Sequence, residues 1–207
     1  MIYRTTLKKS GIPKRYYEQE FESFSEGWLL ENGEALQRVQ DFTDSFKSEH
    51  HTNGHGLLIV GPPGVGKTMA ACCLGKDVIR AGYSVFYSTM QDLIQSSYEA
   101  LNNSETRTWL YGSIVQQTDL LIVDELDGYY DPGKGLVDCF IDRLIGVRYN
   151  NCRSTLFISN TLVALKLGDW AKDRIKEMSE KIVFNGNSQR EWRNEEGGSD
   201  EDKRPES

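Results

Sequence analysis

Residues 57–75 read LLIVGPPGVGKTMAACCLG: four apolar residues, then glycines and prolines, a lysine, a threonine and a run of small residues. The apolar stretch suits a buried strand, and the stretch from Lys67 suits a helix. Glycine adds no packing and costs backbone entropy, so Gly61, Gly64 and Gly66 need a reason outside the core. They let something approach the backbone closely, beside a bare ammonium at Lys67.

Working outward, strand-like and helix-like segments alternate. Strands are predicted at 57–60, 84–88, 119–123, 155–159 and 181–185, and helices at 67–80, 91–101, 105–116, 134–149 and 169–178. Trp28, Leu29, Leu30, Leu36, Val39, Phe42 and Phe46 recur at helical spacing, which predicts an amphipathic helix over 26–49 running into a loop, SEHHTNGHG. Strands alternating with helices need crossover connections, so the expected fold is α/β, a parallel sheet flanked by helices on both faces. DLLIVDE and STLFIS are continuous apolar runs, as central strands require. The division expected is a lead segment over 1–25 with a Gly-Ile-Pro turn, one α/β domain over 26–190, and an acidic, disordered tail over 191–207.

Bulk properties exclude some classes. The chain has 207 residues, 38% of them hydrophobic and 27% charged, an ordinary globular composition. No run approaches the ~18 apolar residues of a membrane span, and the N-terminus has no signal-peptide core. Cys72, Cys73, Cys139 and Cys152 lack metal-binding spacing and read as reduced core thiols, consistent with a cytoplasmic protein. Net charge is −7, but seven acids and three bases in the last 17 residues carry −4 of it and leave −3 for the body. The body is neither a basic DNA-binding module nor strongly acidic.

GPPGVGKT fits the spacing G-x-x-x-x-G-K-[ST], between a strand and a helix as that motif requires. Backbone N–H groups of such a loop turn inward around phosphate, and the helix that follows aims its positive dipole end at it. The nucleotide contacts expected are Gly61, Pro62, Pro63, Gly64, Val65, Gly66, Lys67, Thr68 and Met69, with Lys67 on the β- and γ-phosphates and the Thr68 hydroxyl on Mg²⁺. LLIVDE, residues 120–125, ends a buried strand in two acids. There Asp124 can hold the hydrated Mg²⁺ and Glu125 can deprotonate the attacking water. In STLFISN, Asn160 ends another strand and can hydrogen-bond the γ-phosphate or the lytic water, or else cap the segment that follows. ATP and Mg²⁺ are the implied cofactors, and ATP hydrolysis the implied reaction.

In this order the pieces resemble the P-loop AAA+ ATPases, and within them the DnaC/IstB-like group of helicase loaders and transposition helper ATPases. The resemblance runs from SGIPKRYYEQEFESF to FNGNSQRE and includes DLLIVDEL, VRYNN before STLFISN, and DRI at 173–175. It implies that Asn160 is the sensor 1 residue and Arg174 an arginine finger reaching a neighbouring subunit's ATP. It also implies that Arg190 lies where the family has a late, sensor-like arginine, with little or no C-terminal lid. The alternative for both arginines is a surface or helix-capping role. The sequence departs from the family in its SQR for SYR, in Asp127 after DEL, and in its short lead, which points to a replicon- or phage-encoded loader.

The function expected from the resemblance is loading a replicative helicase onto single-stranded DNA, with homo-oligomer formation on ATP binding. The alternatives are an IstB-like transposition helper and an ATP-switched binding module with negligible turnover. With no basic stripe, one subunit should bind single-stranded DNA only weakly. Glu49, His50, His51 and His55 read as a solvated loop rather than a metal site, Asp127 as a turn acid, and Tyr83, Phe86 and Tyr87 as packing of the second strand.

Overall fold

The computed structural model describes residues 2–129, 135–160 and 167–188. Its strands are β1 (Gly56–Val60), β2 (Val85–Thr89), β3 (Leu120–Asp124), β4 (Ser154–Ser159) and β5 (Ser179–Val183). All pairings are parallel, in the order β2-β3-β4-β1-β5. The helices are α1 (Ile2–Lys9), α2 (Glu26–Ser45), α3 (His51–Asn53), α4 (Lys67–Arg80), α5 (Met90–Asn102), α6 (Ser104–Arg107), α7 (Leu136–Asn150) and α8 (Asp169–Met178).

The period of two in each strand divides the core. Leu57, Ile59, Leu120, Ile122, Leu156 and Ile158 face α2, α4 and the N-terminal lead. Leu58, Val60, Leu121, Val123 and Phe157 face α5, α7 and α8. β1, β3 and β4 are buried along their whole length, which is why their sequences run apolar without alternation. Helices thus cover both faces of a parallel sheet, and among the described residues no helical lid follows β5. Among those residues, no helix is long and apolar enough to cross a membrane.

Several local expectations need correction. The lead carries a helix, α1, and buries Leu7, Ile12, Phe21 and Phe24 in the core. Its apolar positions are too few to register as a period. The helix expected to 49 ends at Ser45 and continues as π-helical Phe46–His50 and then α3, where a loop was expected. The helix expected over 105–116 is α6 followed by a π-helix, Thr108–Gln117. Its wider turn, seen in Thr118 N–H donating to Ser113 O, brings Leu110, Ile114 and Val115 inward together. β5 starts two residues early because it follows α8 without a turn and pairs Ser179 with Gly56. Cys72 and Cys73 are core thiols as expected, but Cys139 and Cys152 are exposed.

Arg148, fully buried on α7, fixes the end of the sheet opposite the strand C-termini. Its guanidinium donates to the carbonyls of Val115 (3.0 Å), Thr118 (3.1 Å) and Ser154 (2.6 Å) and to Thr155 Oγ1 (2.8 Å). Burial, then the charge of Arg153, pushes it down to about 9. This ring of acceptors keeps it a cation at neutral pH.

Candidate functional site

The loop Gly61–Gly66 joins β1 to α4 at the C-terminal edge of the sheet. Gly66 caps α4 with φ 95°, a left-handed conformation that favours glycine, and a Cβ there would come within 2.9 Å of the Phe24 ring. The lead and α2 together brace the loop from outside. Phe24 stacks on Trp28 with ring centroids 4.1 Å apart, and Trp28 Nε1 donates to Val65 O at 2.8 Å. The Val65 side chain is therefore core, and only its backbone belongs to the loop.

Lys67 opens α4 with its side chain 6% exposed. Its Nζ donates to Gly61 O (2.7 Å), Pro62 O (2.7 Å) and Asn160 Oδ1 (3.0 Å). Burial lowers its pKa, opposed by the charges of Asp124 and Asp127. Asn160, the residue after β4, is thereby tied to the loop after β1.

Asp124 ends β3 buried and accepts from Thr68 Oγ1 (2.8 Å), Tyr87 Oη (2.7 Å) and the Glu125 N–H (2.8 Å). Desolvation, then the charge and hydrogen bond of Asp124, pushes the Tyr87 phenol far up, so Tyr87 stays a donor. Glu125 is exposed and has φ 54°, a conformation that costs a non-glycine residue about 1–3 kcal/mol. Two backbone bonds hold it there, Leu126 N–H to Ile158 O (2.9 Å) and Gly128 N–H to Glu125 O (2.8 Å). Asp127, the turn acid, accepts from the Asn160 N–H at 3.2 Å and so links the ends of β3 and β4.

These groups share one cavity of about 400 Å³, lined by Pro63, Gly64, Gly66, Lys67, Thr68, Met69, Asp124, Glu125, Ser159 and Asn160, and by Arg15, Tyr16 and Gln19 of the lead. Its size is that of a small-molecule site. The lead residues were missed in the sequence; GIPKRY marked a resemblance and carried no chemical signal of its own. From the sequence alone Tyr87 is packing of the second strand, since nothing in VFYST announces its bond to Asp124. Arg174 lies on α8, away from the cavity lining, ion-paired with Glu177 and 4.8 Å from the Tyr149 ring centroid. Arg190, the acidic tail and any segment capped by Asn160 lie outside the described residues. Among those residues no cluster of His, Cys, Asp or Glu could hold a metal ion by itself.

The oxygen donors fit a divalent cation bound together with nucleotide. Thr68 Oγ1 and Asp124 Oδ2 lie 2.8 Å apart, hard oxygens of the kind Mg²⁺ takes from protein when phosphates supply the rest.

Comparison with known proteins identifies the family. An insertion-sequence ATP-binding protein of Sinorhizobium fredii is 31% identical over 145 residues, covering 65% of this chain and 56% of that protein. The IS1162 ATP-binding protein of Pseudomonas fluorescens is 38% identical over 74 residues, 34% of this chain and 30% of that one. The chain thus spans about half the length of the first relative and less of the second. Among solved structures, the DnaC helicase loader superposes with TM-score 0.70 at 25% identity, covering 83% of this chain and 99% of that one. DnaA bound to AMPPCP and single-stranded DNA gives 0.67 at 19% identity, covering 85% and 51%, a likeness of fold alone. Residues 37–196 match the family described as IstB-like ATP binding protein, and the chain belongs to that family, within the DnaC/IstB-like AAA+ group.

Proposed function

We propose that the protein is an ATPase that loads a replicative helicase onto single-stranded DNA, acting as a homo-oligomer assembled on ATP. The observation that carries the ATPase reading is the convergence of Lys67, Thr68, Asp124, Glu125 and Asn160 on one cavity at the strand ends. Lys67 stabilises charge on the β- and γ-phosphates, and the loop N–H groups and the start of α4 hold the phosphate chain. Thr68 and Asp124 would hold Mg²⁺, which supplies charge neutralisation across the phosphates. Glu125, exposed at the rim, takes a proton from the attacking water, while Asn160 orients it. Arg174 is proposed to act on a neighbouring subunit's nucleotide.

Helicase loading is supported by the likeness to the DnaC helicase loader over most of both chains. A second reading, a helper ATPase of IS21-type transposition, is supported by the curated relatives, which are ATP-binding proteins of insertion sequences. Affinity capture from the native host with ATP and a Glu125→Gln variant separates the two. Recovery of the replicative helicase supports loading, recovery of a transposase supports the helper role, and recovery of neither counts against both.

A further inference from the structure

Asp124 accepts three hydrogen bonds, and only two of its donors belong to the motifs that define the site. Thr68 and Glu125 are motif residues; Tyr87 comes from β2. In the β2–β3 ladder Tyr87 pairs with Ile122, so Asp124 is its diagonal neighbour two residues further along. Both side chains lie on one face of the sheet, and the aromatic ring spans the gap, setting Tyr87 Oη 2.7 Å from Asp124 Oδ2. A phenylalanine would fill the same buried volume and stop one atom short of the carboxylate. Strand packing therefore explains the ring but not the hydroxyl.

The backbone of Tyr87 is itself pinned. Its N–H donates to Ser10 O at 2.7 Å, and a Cβ on Gly11 would come within 2.3 Å of the Tyr87 carbonyl oxygen. With its backbone held and its ring buried, the phenol oxygen sits 2.7 Å from Asp124 Oδ2.

We propose that Tyr87 is a positioning residue for the divalent cation of the nucleotide site, holding the Asp124 carboxylate in the one orientation that sets it beside Thr68 Oγ1. This deepens the nucleotide-site reading and rests on it. A carboxylate with two of its donors on neighbouring elements meets a hydrated cation without first reorganising. Partners that orient a metal-binding group in this way are typically worth 10–100-fold in metal affinity. A merely structural phenol would satisfy itself on the same acceptor, but its loss would lower stability and leave the cation dependence untouched.

The test is Tyr87→Phe in the full chain, read by binding of a fluorescent ATP analogue across Mg²⁺ and Mn²⁺ titrations and in EDTA, with thermal unfolding alongside. The expected result is a cation midpoint raised about tenfold or more, with affinity in EDTA within about twofold of the unmodified protein. An unmoved midpoint in the folded variant overturns the proposal. So does a loss of stability and EDTA affinity without a separate shift in midpoint. If Tyr87→Phe does not fold, Tyr87→Met gives the same comparison, and failure of both to fold assigns Tyr87 a structural role instead. Cation-independent nucleotide binding by the unmodified protein overturns the site reading and the proposal with it. That failure shows before any substitution is made.

Discussion

The Lys67 ammonium lies 3.0 Å from the Asn160 side-chain oxygen, so the start of α4 and the residue after β4 share one hydrogen bond in the cavity lining. The two residues should separate in their effects. Lys67→Ala removes the charge proposed to act on phosphate. A hydrogen bond to a charged group contributes about 1.5–3 kcal/mol, so ATP affinity should fall on the order of tenfold to hundredfold or more. Asn160→Ala should leave affinity largely intact and slow turnover. Calorimetry measures both affinities and phosphate release the turnover, and an ATP affinity of Lys67→Ala within about threefold of the unmodified protein would contradict the phosphate assignment.

Arg148 should dominate stability far from the site. Arg148→Met leaves the Val115, Thr118 and Ser154 carbonyls buried without their donor. Leaving a buried acceptor without a donor costs about 1–3 kcal/mol, so the loss should reach at least that, a large share of a domain's total stability. Arg148→Lys keeps the charge but loses the planar fork, and should recover only part. Urea unfolding of both variants measures it, and a loss below about 1 kcal/mol for Arg148→Met would contradict the account, since that is no more than one ordinary hydrogen bond.

The thiols should divide in two. Cys72 and Cys73 are fully buried; burial pushes both up, Cys73 to about 12, so at pH 8 they remain protonated and shielded. Cys139 and Cys152 are exposed. Alkylation of the folded protein at pH 8 should label those two first, and all four only after unfolding. Equal labelling of four thiols in the native state would contradict the core packing of α4.

Much of this was legible in the sequence, for identifiable reasons. A phosphate loop is local in sequence, so spacing alone places Gly61–Thr68. Buried parallel strands run apolar and end in polar residues, so Asp124, Glu125 and Asn160 stand out at their ends. What stayed hidden depends on pairing across the sheet or on chain reversal. Tyr87 reaches Asp124 through a ladder register that no local pattern encodes. Arg15, Tyr16 and Gln19 reach the cavity because Lys76, buried on α4, donates to Tyr17 O and Gln19 O and anchors the lead there. The start of β5 was misplaced because the polar Ser179, Glu180 and Lys181 pair with β1 without looking like a strand.

The Arg174 assignment separates a residue acting in trans from one serving its own helix. An arginine supplied by a neighbour can be worth about 10³–10⁵ in turnover. Arg174→Ala should therefore lose most ATPase activity and keep ATP binding. Mixing it with Glu125→Gln should restore some turnover, because each variant supplies the half the other lacks. A variant that keeps its ATPase and loses a little stability would mark Arg174 as only the partner of Glu177 and Tyr149.

Phosphate release by the unmodified protein and by Glu125→Gln, alongside their ATP affinities, tests the central claim most directly. The account predicts Mg²⁺-dependent hydrolysis by the unmodified protein that rises faster than linearly with protein concentration. It predicts that Glu125→Gln binds ATP nearly as well and loses at least about 10²-fold in turnover, the usual contribution of a positioned general base. Unchanged turnover in Glu125→Gln, or tight ATP binding by the unmodified protein with no hydrolysis at any concentration, would contradict it.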